Sequence, residues 1–189
     1  MEVASLIELE AVNNIIGTIG ESPINTLENL QDVDAINALR ILRDISRREQ
    51  ARGWSFNIIP SYTLNPDVYT KRIPYLDNYL SIKGFNGEKL INYNGYIKDL
   101  TNDKTTFNSS LKVEIILLVP FENLPEAMRS YIIAKASFVF QSRYFGDEGL
   151  ATITQAEIAE TWQHLQEYEI DNNDYNILNN SHVQEMLSR

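Results

Sequence analysis

Two histidines are the first residues to examine for chemistry, because a serine or cysteine nucleophile needs a nearby base to take its proton. His164 lies between Gln163 and Leu165 in a stretch with helical spacing, and His182 lies in a polar segment. Both read as solvated or simply hydrogen-bonded side chains. No HExxH spacing is present, and the chain has no cysteine, which removes thiolate catalysis, disulfides and cysteine-based zinc sites. Asp171-Asn-Asn-Asp174 suggests a calcium loop. Such a loop starting at Asp171 requires Asp or Asn at 175, glycine at 176 and glutamate at 182, where the chain has Tyr175, Asn176 and His182. None of the eight glycines forms a phosphate-binding GxGxxG or GxxxxGK[ST] pattern. Asp67, Asp77, Asp99 and Asp103 could supply the paired carboxylates of a glycosidase, but no spacing singles out a pair.

The strongest electrostatic feature is Arg40, Arg43 and Arg47, which share one narrow arc of a helix at 100° per residue. Three readings are open. The arginines contact nucleic-acid phosphates, they dock on an acidic helix of a neighbouring subunit, or they form a solvated face with local pairs such as Arg40 with Asp44. The acidic partner in the second reading is Glu157, Glu160 and Glu167. The chain's net charge of −10 disfavours general nucleic-acid or anionic-membrane binding. That charge is unevenly spread. Residues 147–189 hold nine acids and one base, whereas residues 34–52 hold five arginines and three acids.

These side chains need elements to hold them. A chain of 189 residues can bury about 70% of its unfolded surface without metal or disulfide staples. No apolar run reaches the ~20 residues of a membrane span, and the N-terminal stretch carries acids where a secretory signal has bases. Ser5 and Glu8 form a capping box for a helix over 6–19, with Leu6, Leu9, Val12, Ile16 and Ile19 as its stripe and Gly20 as its stop. A second helix spans 33–52, buries Ala35, Ala38, Ile41, Leu42 and Ile45, and stops at Gly53. Asn86-Gly87 and Asn94-Gly95 are hairpin signals that organise 80–85, 89–93 and 96–100 into an antiparallel meander. Residues 111–119 form a central strand, and the prolines at 60, 66 and 74 make 61–75 an irregular excursion. Asn123 caps a third helix, apolar almost all round, that ends at Gly146. Thr154 and Glu157 cap a fourth, running to Ile170 over an inner stripe of Ile158, Trp162 and Leu165. Beyond it lies a weakly structured tail with a short helix near Val183–Leu187. The expected fold is α+β: a bundle of four helices from residues 1–53 and 122–189, with an antiparallel β-rich insertion at 54–121.

In order and spacing, several segments resemble one known family. They are Glu10-Ala-Val-Asn-Asn-Ile-Ile-Gly-Thr-Ile-Gly-Glu-Ser-Pro23, Thr26-Leu-Glu28, Asn37-Ala-Leu-Arg-Ile-Leu42, Ala51-Arg-Gly-Trp-Ser-Phe-Asn57, Leu64-Asn-Pro-Asp-Val-Tyr69, Tyr79-Leu-Ser81, Ala134-Lys-Ala-Ser137, Phe145-Gly146, Tyr168-Glu169 and Tyr175-Asn176. The chain is similar to the tail tubular protein A family of short-tailed, T7-like bacteriophages. The resemblance implies a structural virion protein without catalytic residues, cofactor or metal. It implies a dodecameric ring between the capsid portal and the tail nozzle (tail tubular protein B), with genomic DNA passing through. It places the protein in the virion tail, assembled in the host cytoplasm and without a membrane partner. Because some phage tail parts degrade surface polysaccharide, a glycosidase with paired carboxylates is the alternative.

Overall fold

A computed structural model of the protein describes residues 6–144 and 148–177. Ser5, Phe145, Gly146, His182 and the short helix expected at 183–187 lie outside the described residues. The fold is α+β: four helices, with small antiparallel sheets between the second and third. By chain contacts it divides into a helical unit, residues 1–48 and 120–189, and a β unit, residues 49–119.

In the helical unit, α1 spans Leu6–Gly17. It stops two residues short of Ile19 because the amides of Thr18, Ile19 and Gly20 bond to carbonyls three residues back, tightening the last turn. Gly20 then takes a positive φ of 82°. Its buried stripe is Glu8, Ala11, Val12, Ile15 and Ile16, with Leu6 exposed and Leu9 and Ile19 half-buried. The stripe is therefore rotated from the expected one so that a carboxylate sits on the inner face.

Helix α2 spans Val33–Gln50. Asp32 caps it, its carboxylate accepting the Ala35 amide at 2.8 Å. The expected inner face, Ala35, Ala38, Ile41, Leu42 and Ile45, is buried throughout. A 3-10 turn, Phe121–Asn123, precedes α3, Glu126–Tyr144. Asn123 is therefore not the cap. Its amide closes the turn on Pro120, and Pro125 supplies the first helical acceptor, to Met128 and Arg129. Met128, Tyr131, Ile132, Ala134, Ala136 and Phe140 of α3 are buried, but Ile133, Phe138 and Val139 are only half-buried.

Helix α4 spans Glu148–Ile177, starting earlier and ending later than expected. Thr154 does not cap it. The residue is buried mid-helix, where its hydroxyl donates to Gln141 Oε1 at 2.7 Å and so finds its partner across the α3–α4 pair. Leu165 is fully buried, with Ile158 and Trp162 half-buried beside it, and Trp162 packs 5.1 Å from the Tyr131 ring. The expected loose tail is helical as far as Ile177.

In the β unit, β1 (Ile58–Leu64), β2 (Tyr79–Gly84) and β5 (Leu111–Leu117) form an antiparallel sheet in the order β1-β5-β2. As expected, β5 is central. The expected meander does not form: β2 pairs with β5, while β3 (Leu90–Tyr93) and β4 (Tyr96–Asp99) make a separate hairpin. The two Asn-Gly turns explain why. Asn94 and Gly95 both have positive φ, 51° and 79°, as a type I′ turn requires, but at 86–87 only the glycine does. Nor is 61–75 irregular from its start, because residues 61–64 continue β1. Pro60 is tolerated there because β1 is an edge strand and its register shifts between Ile59 and Tyr62. Leu64, Ile73, Ile82, Ile97, Val113 and Ile115 belong to the core of this unit.

Candidate subunit interface

Arg40, Arg43 and Arg47 of α2 are exposed but not equivalent. Arg43 is committed within the chain: its Nε and Nη2 donate to the two carboxylate oxygens of Glu8, each at 2.9 Å. Glu8 is only 8% exposed, so this fork-to-fork pair neutralises a carboxylate on the inner stripe of α1. The signal in the sequence is a charge at helical spacing with Ala11, Val12 and Ile15. Arg40 and Arg47 have no ion pair or hydrogen bond among the described residues. Asp44 pairs with Arg48 at 3.0 Å and not with Arg40. Both spacings are four residues, and the acid-before-base order that suits the helix dipole is Asp44 to Arg48.

Beside Arg40 and Arg43 lies a shallow cavity of about 300 Å³, whose wall is completed by Leu30, Ile36 and Leu39. Ile36 is 43% exposed and Val33 67%. An apolar depression rimmed by one committed and one uncommitted guanidinium suits an apolar side chain next to a carboxylate.

Glu157, Glu160 and Glu167 are all exposed along α4. At 100° per residue they share an arc of about 80° with His164 and Asp171. Glu167 accepts the Gln163 amide at 3.1 Å, and no described base pairs with any of the three glutamates. The arginines and the glutamates thus lie exposed on two helices of the same unit.

Two of the four carboxylates considered for glycan cleavage, Asp67 and Asp99, serve as loop staples. Asp67 accepts the Thr70 amide, the Thr70 hydroxyl and the Tyr69 amide, and the Thr70 contacts above all lower its pKa. Burial alone would raise the pKa of Asp99, but bonds from the Asn102 side chain and from the Thr101 and Asn102 amides outweigh it and bring it below the usual value. A general acid in a glycosidase needs a raised pKa, so both shifts have the wrong sign for that role. Asp103 pairs with Lys98 at 2.7 Å, and Asp77 is exposed. Among the described residues no cluster of three metal-ligating side chains occurs, and no helix is long and apolar enough to cross a membrane.

A second set of polar residues, not anticipated from the sequence, closes the base of the β unit. Asn57 Nδ2 donates to Gln50 O at 3.0 Å and Leu117 O at 2.9 Å, and its Oδ1 accepts the Trp54 amide at 2.8 Å. Gln50 exchanges two bonds with the backbone of Val119, at 3.1 and 2.8 Å. These bonds staple the segment that enters the unit to the segment that leaves it. No local pattern announces partners about 70 residues apart. Against known proteins, the family described as Tube, tail tubular protein, matches residues 9–175. No curated protein matches the chain.

Proposed function

Taking as premise that the chain belongs to the tail tubular protein family, and so is a structural component of a phage tail, we propose that it is the ring-forming adaptor joining the capsid portal to the tail nozzle. The observation that carries this reading is the family match over residues 9–175. Genomic DNA passes through the ring. The chain's acidity suits a passage that phosphates must traverse without adhering.

A ring of identical copies is built on a heterologous contact, one surface meeting a different surface of the next copy. The exposed Arg40 and Arg47 supply one surface, with Arg43 at its rim, and Glu157, Glu160 and Glu167 supply the other. The 61–75 segment, where Tyr69 is 92% exposed, presents a contact surface to the nozzle or to a neighbouring copy. Assembly takes place in the host cytoplasm before incorporation in the virion tail. Sedimentation of the purified chain mixed with portal tests the reading. The expected result is one large complex containing both proteins. Two species that sediment apart at every ratio overturn it.

A further inference from the structure

We infer that α2 of one copy packs antiparallel on α4 of the next, with Ile170 seated in the cavity beside Arg40. This rests on the adaptor reading above and specifies the contact that it requires.

The argument begins with spacing. Arg40 and Arg47 are seven residues apart, as are Glu160 and Glu167. At 1.5 Å per residue both intervals are about 10.5 Å. Two helices laid side by side can therefore form both ion pairs, in either direction. The apolar groups choose between them. Antiparallel packing sets Arg47 against Glu160 and Arg40 against Glu167. The cavity residue Ile36 lies one turn before Arg40, and Ile170 lies just under a turn after Glu167, so the two meet. Parallel packing sets Arg40 against Glu160 instead. The nearest exposed large apolar residue is then Ile153, two turns before Glu160 and so level with Val33, not with the cavity residue Ile36.

Rotation about the helix axes selects the same direction. At 100° per residue, Ile36 and Leu39 lie about 40° and about 100° to one side of Arg40, and Ile170 lies about 60° to the same side of Glu167. Facing antiparallel helices bring like rotations together, whereas parallel helices bring opposite rotations together. On the other flank the antiparallel pairing sets His164 against Asp44. Ile170 is 59% exposed and Ile36 43% exposed, so each copy carries apolar surface that the contact removes from water.

The chain has no cysteine, so introduced thiols report the register without ambiguity. One batch carries Ile36→Cys and another Ile170→Cys. Both positions are exposed, so folding is retained. The two batches are mixed with portal under oxidising conditions. The expected product is a covalent dimer of the two single variants, absent when Ile153→Cys replaces Ile170→Cys. A complex with portal that shows no 36–170 bond, or that shows 36–153 instead, overturns this contact and leaves the adaptor reading standing. If the unsubstituted chain forms no complex with portal, the adaptor reading falls and this contact with it. A second readout uses charge. Arg40→Glu with Arg47→Glu is expected to abolish the complex, and adding Glu160→Arg with Glu167→Arg is expected to restore it. Restoration is an outcome that misfolding does not produce.

Discussion

Between Glu49 and Val119 the chain carries eight bases and seven acids; the rest of it carries eight bases and nineteen acids. The two regions also use their polar side chains differently. In the β unit Gln50, Asn57, Asp67 and Asp99 all turn onto nearby backbone. On the helices, Arg40, Arg47 and the acidic arc of α4 project outward, whereas Arg43 of α2 is drawn in by Glu8. The buried members of the first kind, Gln50, Asn57 and Asp99, fix a fold, because an unmet buried donor or acceptor costs about 1–3 kcal/mol. Those of the second kind add little to the isolated chain and remain available for a partner.

The largest expected effect separates these two kinds directly. Asn57→Ala removes the three hydrogen bonds of a buried side chain and is expected to destabilise the chain by about 2–4 kcal/mol in urea unfolding. Glu160→Gln with Glu167→Gln is expected to shift the same transition by less than about 0.5 kcal/mol. Equal losses from the two variants would erase the distinction.

This distinction was only partly legible in the sequence. The buried face of α2 was, because five apolar residues at helical spacing need no knowledge of the rest of the chain. The Asn94-Gly95 hairpin was legible for the same local reason. The pairing of β2 with β5 was not. Its partners, such as Ile82 and Ile115, are far apart in sequence, and Asn86-Gly87 offered a nearer but false one. The reach of α4 past Ile170 was hidden by Asp171-Asn-Asn-Asp174, whose residues favour loops unless a helix already formed carries them on. Of the candidate interface, the charged residues were visible from spacing. The capture of Arg43 and the cavity beside Arg40 depend on where α1 and Leu30 come to lie, which spacing does not encode.

A smaller effect compares the two Asn-Gly turns within the β unit. Asn94→Ala places alanine at φ 51° and is expected to cost about 1 kcal/mol. Asn86→Ala is expected to cost no more than a few tenths of a kcal/mol, because Asn86 is exposed and its φ is not positive. Urea midpoints that rank the other way would reassign the turn that sets the hairpin.

The smallest effect is on acid sensitivity. The pKa values of Asp67 and Asp99 are lowered in the folded chain. Their stabilisation is therefore present above the unfolded value of about 3.9 and is lost as pH falls through the lowered folded values. Asp99→Asn removes the titrating group, so its urea midpoint is expected to fall less between pH 5 and pH 2 than that of the unsubstituted chain. Parallel falls would show that Asp99 does not contribute.

Electron microscopy of the chain reconstituted with portal tests the central claim most directly. The account expects a single closed ring of copies, coaxial with portal and open along its axis, with α2 of each copy antiparallel to α4 of the next. Copies bound singly around the portal rim, or a layer closed across the axis, would contradict it.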